Sequence, residues 1–523
     1  NPMLFYINII LLLLSISKRV SSFSGPSSKC GAGPSGLLAA HRLVQSQLPI
    51  NKLDIYESRS DPRDKQTLGG TRAYALGLGI RGRTAIRTVD EELWSAVKKK
   101  GYECERFRLH FNSKFNIKLR DKEDGVEPSL LIYQSDLCVQ LLDELESRCA
   151  DTNMLNVYFD SKISKVDLDA STISINDDKD IDTGPYDMIV GCDGSNSIIR
   201  KSLLKYSPPN TFSFTQRKLL PGCFKVARTE EVPPLLDNTS VGLILPQSKS
   251  LGITAFVEPT VGGSSCILFA GRLSNETTTT AVSSDIDGNE DMDLGSILFP
   301  HPDSINEEGP KVDVGTITNL ILEQFPLLEG TPGMDGVVQQ LLSQRTAVAD
   351  SIKCNIYHSN SDITPTAICG DAAHATGGVS GQGCNSALMD AATLADCLEK
   401  YYQPTKDSDD IQKTKQDMLY KSISSYSEKA VPEGHALYDL SFGNDGKTLP
   451  IFRNIRALIS NGMDTIFGGR FGIGKKPLQT LLASSLTSFV DIRRDREKYF
   501  VEEFPTDEWY RQELEGLYHI RGT

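Results

Sequence analysis

Residues 367–390, AICGDAAHATGGVSGQGCNSALMD, restrict the fold of this chain more than any other stretch. A short apolar run, Ala367-Ile368-Cys369, ends at Gly370-Asp371. A glycine-rich turn follows, and Gly381-Gln382-Gly383 opens a helix that carries Leu388 and Leu394. The order is strand, turn, helix N-terminus, with an acid at the end of the strand. A helix N-terminus leaves N–H groups unpaired and carries partial positive charge, so it suits an anionic or electron-rich ligand. An aspartate at a strand end can accept hydrogen bonds from sugar or ribitol hydroxyls. Standing alone, the same pattern also describes a tight strand-to-helix connection with a capping acid.

Two other segments repeat the arrangement. Gly31-Ala32-Gly33-Pro34-Ser35-Gly36 is a G-x-G-x-x-G followed by the helical run Leu37-Leu38-Ala39-Ala40. Leu53-Asp54-Ile55-Tyr56 then alternates like a strand and ends in Glu57, about 20 residues past the last glycine. Such glycines permit a tight turn, close approach of backbone to a pyrophosphate and close helix packing, and the acid can hold ribose hydroxyls. Between these pieces, Asp187-Met188-Ile189-Val190-Gly191-Cys192-Asp193-Gly194 reads as another buried strand ending in Asp-Gly.

The first glycine motif has a defect. A dinucleotide fold needs an apolar strand directly before it, yet Gly25-Pro26-Ser27-Ser28-Lys29-Cys30 stand there. Either the first strand is missing or it is badly formed. Further upstream, residues 4–16 are strongly apolar, followed by Lys18-Arg19 and a serine-rich, acid-free tail. That run is short for a membrane span and resembles the apolar core of a signal. Residues 1–29 are therefore expected to be an organellar presequence (mitochondrial or plastid), with a short membrane anchor as the alternative.

Composition narrows the classes. A net charge of −13 argues against a general nucleic-acid binder. The eleven cysteines are dispersed with no C-x-x-C pair, which reads as free thiols in a reducing compartment; no metal-ligand spacing is present. A second G-x-G-x-x-G, Gly77-Leu78-Gly79-Ile80-Arg81-Gly82, lacks a following strand with a terminal acid, because Asp90-Glu91-Glu92 fall inside the expected helix 84–97. It reads as a chance match in a glycine-rich loop, so no separate NADPH-binding unit is expected. A helix is expected over 134–148, with Leu137, Leu141 and Leu145 on one stripe. Antiparallel strands are expected over 211–272, a flexible polar insertion over 274–309, and an amphipathic helix over 411–429.

Taken together and in this order, the three strand-end motifs resemble the FAD-dependent aromatic-ring hydroxylases, the single-component flavin monooxygenases. The block Gly70-Thr71-Arg72-Ala73-Tyr74-Ala75-Leu76-Gly77-Leu78, then Arg81-Gly82-Arg83, is similar to the kynurenine 3-monooxygenase branch of that family. So are Ala430-Val431-Pro432-Glu433-Gly434-His435 and Pro477-Leu478 through Phe489-Val490-Asp491. The likeness runs from about residue 31 to 494. It implies an α/β fold: a discontinuous Rossmann-like FAD-binding domain, an antiparallel-sheet substrate domain and a helical C-terminal region. The implied division is 30–205 and 356–400 for the cofactor domain, 206–355 for the substrate sheet and 401–523 for the C-terminal region.

The resemblance also implies roles. Gly31, Gly33, Gly36 and Glu57 would hold the ADP half of FAD, and Asp193 would lie near the pyrophosphate. Gly370 and Asp371 would hold the ribityl region, with Gly381, Gly383, Cys384 and Asn385 at the flavin pyrimidine. Arg72 and Gln134 would lie by the flavin, and Arg81 would clamp a substrate carboxylate, which suits its planar, always-charged fork. NADPH would reduce FAD, and oxygen would pass to a small aromatic ring through a flavin C4a-hydroperoxide; the cofactor does the chemistry, so no catalytic side chain is expected. Two departures bear on the substrate: Gly378 stands where the kynurenine enzymes usually have proline, and Met389 where they have glutamate. The alternatives are an isoprenoid or alkene epoxidase or related flavin oxidoreductase of the same architecture, or a degenerate FAD-fold protein without catalysis. A halogenase would show a tryptophan-rich motif, and Trp94 and Trp509 stand far apart.

Overall fold

The computed structural model describes residues 7–13, 32–46, 48–64, 74–121, 127–176, 182–248, 251–271, 294–300, 313–344, 346–378, 380–403, 411–442 and 478–496. Five parallel strands form one sheet: β1 (Ile7–Leu13), β2 (Ile50–Glu57), β3 (Leu155–Tyr158), β4 (Met188–Gly191) and β5 (Thr366–Ile368), in the spatial order β5-β4-β1-β2-β3. All four pairings are parallel. In β4 and β5 every residue is buried, as expected of parallel strands covered on both faces.

The centre of this sheet corrects the expectation of a missing first strand. Ile7–Leu13 lies between β2 and β4, hydrogen-bonded to both, with Leu13 opposite Glu57 and Leu12 opposite Gly191. Part of the expected presequence is thus the central strand. The physical reason for the misreading is simple. An unbroken INIILLL is the pattern of a central parallel strand and of a signal core alike, and hydropathy does not separate them. The serine-rich residues between Leu13 and the first glycine hid the connection. Among the described residues no helix is long and apolar enough to cross a membrane.

Helix α1 (Pro34–Gln45) follows the first glycine motif, and α2 (Ile80–Arg87) the second. Helix α3 (Gln134–Cys149) covers the expected 134–148, and Leu137, Leu141 and Leu145 are all fully buried. Helix α4 (Ile198–Tyr206) follows β4, and α5 (Gly383–Tyr401) follows β5. Helix α1 packs against both α3 and α5.

A second sheet has eight strands in the order His374–Thr376, Ala347–Cys354, Phe214–Thr229, Ser265–Gly271, Thr254–Pro259, Ser240–Ile244, Arg106–His110, Asn116–Arg120. The strands expected over 211–272 are all here. One pair, Ser240–Ile244 with Arg106–His110, is parallel, and the rest are antiparallel. Alternate residues of the central strands, among them Cys223, Ala255, Val257, Ile267 and Phe269, pack on the helices Val314–Gln324 and Met334–Ser343. Leu294, Leu298 and Phe299, within the expected flexible insertion, join that core; the rest of the insertion, 274–293 and 301–309, lies outside the described residues. The opposite face meets a three-stranded sheet of Ala75–Leu78, Ser129–Tyr133 and Tyr102–Cys104.

The stretch 367–390 therefore joins the two large sheets. It supplies β5 to the parallel sheet, turns at Gly370-Asp371, adds His374–Thr376 to the edge of the eight-stranded sheet, and returns as α5. Helix α6 (Ile411–Phe442) packs on α5 and runs straight through Pro432, thirteen residues beyond the expected end at 429. Helices α7 (Leu478–Ser484) and α8 (Phe489–Asp495) close the C-terminal side, with Leu437, Leu482, Phe489 and Ile492 as a small core.

Candidate cofactor site

Numbered in chain order, the parallel sheet reads 5-4-1-2-3, and its order reverses between β1 and β4. In open α/β sheets of this kind, ligands bind outside the carboxyl ends of the strands at the reversal. The registers bring Leu13, Glu57, Gly191 and Ile368 to that edge together. The second and third motifs begin where their strands stop, whereas residues 14–31, which lead from β1 into the first glycine motif, lie outside the described residues.

The first and last motifs touch. Ser35 Oγ, in the first turn of α1, donates to the Ala387 carbonyl of α5 at 2.8 Å. Gly370 lies between them with φ +60°, and a Cβ there would meet the Ala387 Cβ at 2.8 Å. Only glycine satisfies both the backbone and the space at this point. Helices α1 and α5 both start without a side-chain cap and without an acid in the first turn. Their first N–H groups are thus left for something else. Cβ atoms placed on Gly33, Gly381 and Gly383 would meet nothing within 4 Å. Three motif glycines border open space at two helix N-termini, which leaves room there for a dinucleotide's phosphates and pyrimidine.

Polar atoms around this space lack partners. Gln382 is buried and its Oε1 has no hydrogen bond; Asp193 Oδ1 is equally buried and unpartnered. Asp371 is exposed although protein surrounds it, so it lines a cleft; desolvation raises its pKa against the pull of His374 and Arg200. Tyr74 lies in the field of Asp371, Cys384, Cys138 and Arg59, and burial raises its hydroxyl pKa. Cys138, held up at about 12 by burial, in turn feels Arg59 and Glu57. Tyr74, Asp371, Cys384 and Cys138 of α3 are therefore near neighbours, with Glu57 at the end of β2 close to Cys138. Gln134 opens α3, and its backbone N–H donates to the Tyr74 carbonyl at 3.2 Å. Tyr74 also meets Phe224 edge-on, with ring centroids 6.4 Å apart, and so links this space to the eight-stranded sheet. The residues present fit FAD.

Several expected residues have a different immediate task. Gly36 is buried within α1. Asp193 Oδ2 accepts from the backbone N–H groups of Ile198 at 2.7 Å and Ile199 at 3.2 Å, so it holds the start of α4; burial pushes its carboxyl up to about 6. Asn385 is fully buried, and its Oδ1 accepts from Gly79 N at 2.9 Å and Gly82 N at 3.2 Å, while Nδ2 donates to the Gly77 carbonyl at 3.0 Å. The second glycine motif is thus a close-packing site: a Cβ on Gly82 would strike Asn385 Oδ1, and one on Gly79 would come within 2.7 Å of the Ala483 carbonyl. Its strand, Ala75–Leu78, pairs antiparallel with Ser129–Tyr133, which no βαβ unit does.

The guanidinium of Arg81, expected as a carboxylate clamp, donates to the Leu482 carbonyl at 2.6 Å and to the Thr487 carbonyl, and stacks over Phe489 at 4.1 Å. Burial lowers its pKa to about 10. The C-terminal helices occupy it. Gly31 and Arg72 lie outside the described residues.

Sequence reading missed a buried pair within the same stretch. Asp390 Oδ2 accepts from Gly370 N at 2.9 Å and lies 2.6 Å from His374 Nε2. Burial alone lowers the His374 pKa, but the Asp390 carboxylate overrides it and the pKa is raised. Tyr357 stacks on the imidazole. An acid one helical face away from the turn was the available signal.

No family model matches the chain. Kynurenine 3-monooxygenases do match. That of Neurospora crassa is 25% identical over 433 residues, spanning 79% of this chain and 76% of the relative. That of Anopheles gambiae is 25% identical over 417 residues, spanning 79% and 72%. That of Aspergillus fumigatus is 25% identical over 436 residues, spanning 79% and 75%. Among solved structures, 2-methyl-3-hydroxypyridine-5-carboxylic acid oxygenase shares the fold with a TM-score of 0.54 at 14% identity, covering 91% of this chain and 98% of that one. Strand order, open glycines and relatives agree: the chain is similar to kynurenine 3-monooxygenases and, in fold, to an aromatic-ring oxygenase, which supports an FAD-dependent aromatic hydroxylase family.

Proposed function

We propose that this protein is an FAD-dependent monooxygenase that uses NADPH and O2 to hydroxylate a small aromatic substrate. The observation that carries the reading is the meeting of three strand-end motifs around open space at two uncapped helix N-termini. When bound there, FAD supplies the activation of oxygen. Glu57 accepts hydrogen bonds from the ribose, and the N–H groups at the start of α1 face the pyrophosphate. Asp371 accepts from the ribityl chain, with Gln134 and Cys384 alongside. The N–H groups around Gly383 at the start of α5 stabilise negative charge at the pyrimidine. In this reading the strand Ile7–Leu13 with residues 30–205 and 356–400 forms the cofactor domain, and 206–355 carries the substrate sheet. The aromatic substrate packs where Tyr74 meets Phe224, beside Leu268 of that sheet and Tyr133 of the three-stranded sheet facing it.

The engagement of Arg81 with α7 and α8 favours a second reading, a substrate without a carboxylate, as an epoxidase of this architecture would take. One assay separates the two. The purified chain is reconstituted with FAD, and NADPH oxidation is followed with kynurenine, other aromatic acids and an isoprenoid alkene. A flavin absorption band and stimulation by an aromatic acid, with a hydroxylated product, is the expected result. Stimulation by the alkene alone moves the assignment to epoxidation. Absence of bound flavin after reconstitution overturns both.

A further inference from the structure

We propose that Cys192 and Cys369 form a thiol–disulfide pair, oxidised by hydrogen peroxide, at the carboxyl edge of the parallel sheet. The two residues directly follow β4 and β5. Those strands pair with Gly191 opposite Ile368, so the next residues on each are Cys192 and Cys369. The backbone ladder extends to them, because Cys369 N donates to the Gly191 carbonyl at 2.9 Å. Burial first, and then the neighbouring Cys192 thiol, hold the Cys369 pKa well above the ordinary thiol range. Neighbouring strands lie about 4.8 Å apart, which falls within the Cα separation a disulfide spans. Both cysteines are free. Cys369 is 1% exposed, whereas Cys192 is half-buried, so a small oxidant reaches Cys192 first and Cys369 stands behind it.

The chemistry balances. The Cys192 sulfur attacks one oxygen of hydrogen peroxide; the O–O bond breaks and water leaves, giving a sulfenic acid at Cys192. The Cys369 sulfur then attacks the Cys192 sulfur; the S–O bond breaks and a second water leaves. Two thiols lose two electrons and two protons, and one peroxide becomes two waters. The position gives the bond a consequence. Asp193 follows one cysteine, and Gly370-Asp371 follows the other, so the cross-link draws together two turns that border the cofactor space. The link to flavin loading rests on the function proposed above, but formation of the bond does not.

The test uses the full chain, reduced and then titrated with hydrogen peroxide, blocked with an alkylating reagent and mapped by mass spectrometry. The expected result is loss of two hydrogens and a linked peptide joining Cys192 to Cys369. The oxidised protein should bind FAD about tenfold more weakly than the reduced one, with recovery on adding dithiothreitol. In Cys369→Ser, the sulfenic acid at Cys192 has no partner and should be trapped by dimedone. The pair is overturned if peroxide links other cysteines, if no link forms, or if dimedone labels nothing at Cys192. A reduced protein that takes up no FAD yet forms the link would sink the proposed function and leave the pair standing.

Discussion

At the residue scale, two glycines of the same site make opposite predictions. Gly33 has an ordinary φ of −74°, and a Cβ there touches no protein atom. Gly33→Ala should leave thermal stability within about 0.5 kcal/mol of the parent, as surface changes do. The added methyl instead enters the space where a pyrophosphate would sit, so FAD affinity should fall at least about tenfold. Gly370→Ala should cost about 1–3 kcal/mol in stability as well, because its Cβ meets Ala387 and its φ is left-handed. Thermal melts beside FAD titrations check both; a Gly33→Ala protein that binds FAD normally removes the first motif from the cofactor site. His374 makes a pH prediction. Its folded pKa is raised above the unfolded value of about 6.5, so its stabilisation is complete below that value and is lost as pH rises through the folded pKa. The stability gap between the parent and His374→Gln should therefore be wider at about pH 5.5 than at about pH 9. A gap that does not change with pH would mean the imidazole is neutral throughout.

At the scale of elements, the chain ties α5, α2 and the C-terminal helices together through buried polar side chains. Asn385 joins α5 to the loop before α2, and Arg81 joins α2 to α7 and α8. Arg200, fully buried in α4, donates to the Ala372 carbonyl at 2.9 Å and to the Ser195 carbonyl at 2.6 Å, fixing the Gly370-Asp371 turn from the other side. Arg81→Ala removes two charge-assisted hydrogen bonds and the stacking on Phe489, a loss of about 2–4 kcal/mol. It should release α7 and α8, seen as faster proteolysis within 478–496. If Arg81 instead served as a substrate clamp, the variant would raise KM for a carboxylate substrate and leave proteolysis unchanged. This is also where the sequence was least legible. The strand-end acids and motif glycines could be placed because their spacing follows from local backbone geometry. The partners of Arg81 and Asn385 could not, because they lie about 400 and 300 residues away in the chain and no periodicity reports them. His374 and Asp390 were hidden for a related reason: a buried pair across a turn and a helix has no fixed spacing.

At the scale of the whole molecule, the parallel sheet turns on its first strand. With Ile7–Leu13 in place, five strands stand in one continuous sheet, and the reversal of order falls between β1 and β4, beside the start of α1. Without it, β2 and β4 have no common neighbour and the edge that carries Glu57 separates from the edge that carries Asp371. A signal segment and a central strand make the same demand on composition but opposite demands on the backbone. A signal segment tolerates loss of one N–H group, whereas a central strand is bonded along both sides and does not accept proline. Leu11 pairs with Ile55 on one side and Val190 on the other. Leu11→Pro should therefore cost about 3 kcal/mol or more, with loss of soluble folded protein and of FAD uptake. The measurement is the yield and melting temperature of the variant beside the parent. A Leu11→Pro protein that melts and loads flavin as the parent does would remove residues 7–13 from the sheet and return the first strand to an open question.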